Sequence, residues 1–203
     1  MFGLLLYAFG IMMTIKANIG YGPWDVLHVG LSRTTGISLG VTSIWVGVIV
    51  VILCILLKET LGLGTILNMI LIGVYMDLII VLGIIPTAQS FLIGVIMFVA
   101  GLFVIALATY YYLSSGFGAG PRDSLMVGMS RKLGWSVGVC RTILEFSATV
   151  LGYFFGGTVG AGTVICVLIV GFAVQTVFNL FKFDATAVHH ESLKETMAGV
   201  FGK

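Results

Sequence analysis

Charge is what this chain has least of. Of its 203 residues only 9% are Asp, Glu, Lys or Arg, while 59% are hydrophobic, and the mean hydropathy is +1.17. A water-soluble domain carries about 25% charged residues, so this chain is read as lying almost wholly in lipid. Its net charge of +2 is too small to suggest a nucleic-acid partner. The three cysteines, Cys54, Cys140 and Cys166, stand singly inside apolar runs, without metal or disulfide spacing, and read as packing residues. Nor is there a nucleophile–base–orienter set, a metal-ligand cluster or a Gly-rich nucleotide loop. No cofactor is expected, and nothing argues for an enzyme. No basic segment precedes Phe2 and no A-x-A-like site follows the first apolar run, so a cleavable signal peptide is not expected either.

What the chain has instead is apolar runs of helical length, at 2–15, 37–57, 65–85, 91–113, 137–155 and 163–181. About 20 residues span a hydrocarbon core of ~30 Å. The runs are continuous rather than alternating, which excludes a β-barrel.

Between them lies a mixture of Gly, Pro, Asp, Ser and Arg that is written twice. "GYGPWDVLHVGLSRTTGISLGV" occupies residues 20–41, and "GAGPRDSLMVGMSRKLGWSVGV" occupies 118–139, with 13 of the 22 aligned pairs identical. The same offset of 98 residues aligns "TLGLGT" at 60–65 with "TVGAGT" at 158–163, and Gly73 with Gly171. Two tandem units, each too small for a core of its own, imply one membrane domain over 1–203. Repeat one covers 1–85, repeat two 89–183, and a polar tail 184–203 follows.

Each unit reads as a membrane helix, a G-x-G-P-x-D break, a short polar-containing segment and two further membrane helices. The short segment has about 12 residues, ~18 Å as a helix, too short to cross. It is expected to be re-entrant or to lie along the interface. Three crossings per unit make six transmembrane helices as two inverted repeats, the arrangement of many secondary transporters. One face then receives Lys58, Arg122, Arg131, Lys132, Lys182, Lys194 and Lys203, with Arg141 just inside its helix, and the other only Lys16 and Arg33. The positive-inside rule makes the rich face, with both termini, cytoplasmic. The repeat would start helix one about eight residues before Met1, leaving it ~12 Å short, so a truncated start is expected.

The glycines of G-x-G-P permit unusual backbone conformations, and Pro is tolerated at the first helical position, so helices should restart at Pro23 and Pro121. Asp25 and Asp123 then sit in first turns, at the positive helix end. Arg33 and Arg131 follow eight residues later on the same face, beside Ser32 and Ser130. Two readings stand for these residues. In one, the aspartates are caps and the arginines snorkel to headgroups. In the other, both broken segments face each other and line a shared polar site. Arg141 and Glu145, at i and i+4 in the fifth span, can meet on one face. The repeat offers Ser43 and Gly47 in their place. A charge at that depth is functional by default, or else a self-neutralising pair. Asp77, matched by Gln175, lies toward the far end of its helix. His28 reads as a hydrogen-bonded residue rather than a ligand, and Tyr110, Tyr111 and Tyr112 as an interfacial belt. T-x-G-x-G-T reads as helix packing through small residues. In the tail, a short helix is expected from Glu191.

The doubled G-x-G-P-x-D segment, the T-x-G-x-G-T pair and the length resemble the YczE/YyaS/YitT group of bacterial integral membrane proteins. That resemblance covers essentially the whole chain, implies a multi-pass protein of the bacterial cytoplasmic membrane, and carries over no catalytic residues. The expected function is a small secondary transporter of a small molecule, proton-coupled through Glu145 or Asp77. The alternatives are a non-transporting membrane partner of another complex, or the substrate-binding subunit of an energy-coupled vitamin transporter. The expected ion- or substrate-binding set is Asp25, Arg33, Asp77, Asp123, Arg131, Arg141 and Glu145. Lipid and an unidentified small molecule are the expected partners, with a homo-oligomer left open.

Overall fold

Each repeat begins with an uncharged run that ends where Gly and Asn allow the backbone to turn, at Asn18 (φ 56°) and Gly20 (φ 103°) in the first. The computed structural model describes residues 1–183, and every regular element among them is helical. In chain order these are α1 (Phe2–Lys16), α2 (Pro23–Thr35), α3 (Leu39–Leu56), α4 (Leu63–Leu82), α5 (Phe91–Leu113), α6 (Pro121–Leu133), α7 (Val137–Phe154) and α8 (Ala161–Leu180). The expected tail helix and the tail's charges lie outside the described residues.

The 98-residue offset carries α2 onto α6, α3 onto α7 and α4 onto α8, first residue to first and last to last. Local chemistry explains why these boundaries repeat. Pro23 and Pro121 open their helices behind extended Gly22 and Gly120, because a first-turn N–H has no intrahelical acceptor to lose. Gly36 and Gly134, both at φ 72°, end them in the left-handed conformation that glycine adopts without strain. Ser38 and Ser136 then accept a hydrogen bond from the backbone N–H three residues on, starting α3 and α7. Such a cap contributes about 1 kcal/mol.

Five helices, α3, α4, α5, α7 and α8, are long and apolar enough to cross a membrane, while α1 is apolar but has only 15 residues. Of the six expected membrane helices, five are of spanning length, and the first, α1, is the one expected to fall short. Neither α2 nor α6, at 13 residues each, reaches that length. Tyr21, ahead of α2, donates its backbone N–H to Thr158 O, and Arg33, near the end of α2, donates to Thr158 Oγ1 and Gly156 O. Both ends of this excursion are thus held at the α7–α8 loop.

Helices α1 and α5 form the centre. Glycines let them approach: a Cβ on Gly10 would lie 3.0 Å from Gly101 O, and one on Gly101 3.0 Å from Gly10 O. Leu4, Ala8, Ile11 and Met12 of α1 pack on Ile72, Met76 and Ile79 of α4. In the second unit Phe98 and Leu102 of α5 meet Ile165 and Ile169 of α8. Outward-facing Trp45, Val81, Phe146, Phe154 and Leu168 remain exposed, as a lipid-facing surface requires.

The two units are interlocked by exchange. Helix α2 packs on α7 of the other unit, and α6 on α3. Gly64 N–H donates to Phe117 O at 2.7 Å and, 98 residues on, Gly162 N–H donates to Ile19 O at 2.8 Å. Thr65 Oγ1 donates to Ala119 O and Thr163 Oγ1 to Tyr21 O, both at 2.7 Å. A Cβ on Gly118 would meet Gly62, and one on Gly20 would meet Gly160, at under 3 Å. The doubled T-x-G-x-G-T and G-x-G-P stretches are thus each other's partners across the repeat. Packing was the expected role of the first, and its contact is with the opposite unit's break.

Candidate functional site

Because α2 and α6 start behind Gly22 and Gly120, their first turns end inside the protein rather than at its edge. Between them lies a cavity of about 350 Å³, lined by Asp25, Arg122, Asp123, Arg141 and Glu145 together with Tyr7, Trp24 and Tyr112. That volume falls near the low end for small-molecule sites. The apolar side of the lining comes from α5 and α8, including Leu102, Ile105 and Val170.

Asp123 accepts a hydrogen bond from the Tyr112 hydroxyl at 2.8 Å. Tyr112 therefore turns inward, which corrects its reading as part of an interfacial belt; Tyr110 instead stacks on Phe181 at 4.4 Å. Asp25 is only 8% exposed. Its Oδ1 lies 3.4 Å from Nδ1 of His28, which is itself buried, and neither atom makes a hydrogen bond. On its other side His28 Nε2 is 3.2 Å from Nη2 of Arg122. A guanidinium only donates, so Nε2 accepts and the proton sits on Nδ1, toward Asp25. The Arg122 guanidinium lies over the Trp24 ring, 4.7 Å from its centroid. Among the described residues it forms no ion pair. Three of its residues (Trp24, Asp25 and His28) come from one unit and Arg122 from the other, so this cluster exists only where the repeats meet.

Arg141 donates from Nε to Glu145 Oε1 at 2.7 Å, and the Glu145 side chain is about one-fifth exposed. Arg141 is its one side-chain partner among the described residues, as a self-neutralising pair requires. The pair nevertheless forms part of the cavity wall.

The remaining members of the expected set lie elsewhere. Arg33 bonds the α7–α8 loop and the Tyr21 hydroxyl. Arg131 is largely exposed and pairs with Glu59 at 3.1 Å. Eight helical residues separate each arginine from its aspartate, ~12 Å along the axis, so sharing a face does not bring them to one place. Asp77 is also outside: its Oδ1 accepts from Gly40 N–H at 2.7 Å and its Oδ2 from the Ser38 hydroxyl, closing the start of α3 against α4. Sequence reasoning missed Arg122, which it counted as a face charge. The available signal was its place directly after Pro121, in a first turn that one of the two readings set facing a shared polar site.

The chain matches a family model described as a family of unknown function, DUF6198, over residues 1–179. It is 33% identical over 175 residues to the uncharacterized membrane protein YczE of Bacillus subtilis, covering 85% of this chain and 80% of YczE. An uncharacterized protein of Haemophilus influenzae is 34% identical over 180 residues, 89% of this chain and 82% of that protein. The uncharacterized protein YyaS of Bacillus subtilis is 33% identical over 172 residues, 83% and 85% of the two chains. No solved structure matches. With nearly its whole length aligned, this multi-helix membrane protein belongs to the DUF6198 family.

Proposed function

We propose that the chain is a small secondary transporter whose cargo binds in the cavity where the two repeats meet. One observation carries this reading: three carboxylates and two guanidinium groups line a single cavity inside a bundle of apolar helices. Burying charge at that depth is strongly unfavourable unless partners or water receive it.

Counting α1, α3 and α4 as crossings, with α2 returning, gives each unit an odd number, so the second unit enters from the opposite face. Discontinuous helices whose N-termini point at a mid-membrane site are the usual cargo-binding device of inverted-repeat transporters. The excess of Lys and Arg on one face supports a cytoplasmic position for both termini. Arg122 supports the cargo's chemistry. It lies over the Trp24 ring beside two helix N-termini and has no carboxylate partner among the described residues, so it suits an anionic group on a small molecule. Glu145 is the group through which protons would couple, because Asp77 is committed to the start of α3.

The test is uptake or efflux by the full chain in sealed proteoliposomes, using pools of small metabolites with and without an imposed proton gradient. Protein-dependent accumulation of a small anion is expected. A folded protein that moves no solute and co-purifies with another membrane complex would overturn transport in favour of a regulatory partner. Co-purification with an ATPase module would point instead to an energy-coupled uptake subunit.

A further inference from the structure

The two units match in sequence and in helix boundaries, but they are not packed alike. In unit one, α3 and α4 lie against each other. Gly40 and Gly73 make that possible, since a Cβ on Gly40 would lie 2.0 Å from Gly73 O and one on Gly73 2.5 Å from Gly40 O. Asp77 locks the contact by accepting from Ser38 and from Gly40 N–H. Farther along, Met69 fills the space over Gly47, and the cleft left there is only about 70 Å³.

In unit two, α7 and α8 scarcely touch. The matching glycines, Gly138 and Gly171, have no atom within 4 Å of where a Cβ would stand. Ser136 matches Ser38 and makes no bond to α8. Gln175 matches Asp77 and is bonded to Asn179 on its own helix at 2.8 Å. Between α7 and α8 lies a cleft of about 370 Å³, lined by Pro23, Phe146, Thr149 and Val167. Glu145 lines both this cleft and the central cavity.

Glycines at matched positions are thus used in one unit and idle in the other. In inverted-repeat transporters, alternating access comes from one repeat moving against the other around the site. We infer that the α7–α8 seam is a gate that closes in the other half of the working cycle. Gly138 then packs on Gly171, Gln175 takes up the Ser136 hydroxyl and the Gly138 N–H, and the α3–α4 seam opens. Cα-level contact of α7 with α8 would bring Glu145 over Val167, at the places Gly47 and Met69 hold in unit one, so closure must move the Glu145 carboxylate. Gating in this sense rests on the transport reading. The closure itself can be read without any cargo.

The test uses the full chain in proteoliposomes with Cys54, Cys140 and Cys166 replaced by Ala, carrying Ser136→Cys and Gln175→Cys, which leaves both seam glycines in place. These positions match Ser38 and Asp77, whose side chains hydrogen-bond across the α3–α4 seam. A disulfide needs Cβ atoms about 3.8 Å apart, within reach only when the seam closes. Copper–phenanthroline oxidation, scored by loss of maleimide labelling, is expected to cross-link most molecules. Adding Gly138→Leu places a wedge where there is room now and none after closure. It should slow cross-linking by about tenfold or more without lowering the thermal midpoint of the open form. Cross-linking no faster than for a cysteine pair on distant helices, or a rate indifferent to Gly138→Leu, overturns the inference. Uptake that persists in fully cross-linked protein overturns the gate and leaves the cargo site standing. Failure of the transport reading shows separately, as no uptake by the unmodified chain.

Discussion

At Gly152 of α7 a single methyl group would collide with the backbone of the opposite unit. A Cβ there would lie 2.4 Å from Leu27 N and 2.4 Å from Val26 C, backbone atoms of α2 that no rotamer change can move. Ordinary carbon contacts begin near ~3.5 Å, so Gly152→Ala must push α2 back by about 1 Å. Overpacking of this kind costs about 1–3 kcal/mol. Replacing Gly inside a helix returns about 0.5–1 kcal/mol. The net loss is up to about 2.5 kcal/mol, and at about 2–4 °C per kcal/mol for a chain of this length a loss near the middle of that range lowers the midpoint by several degrees. Gly171→Ala is the internal control, since its Cβ meets nothing within 4 Å. It should keep the helix-propensity gain of about 0.5–1 kcal/mol and raise the midpoint slightly. Both are read by thermal unfolding of the purified full chain in one detergent. Equal shifts, or a rise for Gly152→Ala, would refute the close seating of α2 on α7.

Asp77→Ala removes the acceptor for Gly40 N–H and Ser38, and should cost about 1.5–3 kcal/mol as a charged acceptor is lost. Gln175→Ala, exposed at the matching place, should stay within about 0.5 kcal/mol; comparable losses in both would contradict the difference between the seams. Glu145→Gln should abolish proton-driven uptake with the helical circular dichroism unchanged, and unaltered uptake would clear Glu145 of that role. Reporter fusions after Leu57 should read cytoplasmic and fusions at Thr34 external. A cytoplasmic signal at Thr34 would remove the inverted arrangement.

Much of this architecture is written locally and so can be read before any fold is known. Pro23 and Pro121 behind glycine fix helix starts, and Gly36 and Gly134 fix helix ends, because each acts through its own backbone. The 98-residue offset then doubles every such reading. What stays hidden is distance and direction. Arg33 shares a face with Asp25, yet ~12 Å of helix carries it to a loop of the other unit. Asp77 looks like a membrane-depth charge until Gly40, 37 residues earlier, is seen to place an amide against it. Arg122 looks like a surface charge because its depth depends on where the α6 N-terminus is seated, which is a matter of contacts with the opposite repeat. Tyr112 differs from Tyr110 and Tyr111 only in the direction it takes from α5. The open seam between α7 and α8 is not announced by its glycines, since Gly138 and Gly171 are the same residue types as Gly40 and Gly73; the legible difference is Gln175 in the place of Asp77.

The reading of the cavity as a cargo site meets its most direct test in ligand stabilisation of the purified full chain. Small carboxylates, phosphates, amines and neutral solutes would be screened by thermal shift on the wild type and on Arg122→Ala. A ligand at 100 times its dissociation constant stabilises by about 2.7 kcal/mol, equivalent to about 5–10 °C here. The expected result is stabilisation by an anionic class that disappears in Arg122→Ala, with the unliganded variant still folded. Stabilisation of equal size in wild type and Arg122→Ala, or by no anion while cations or neutral solutes bind, would contradict it.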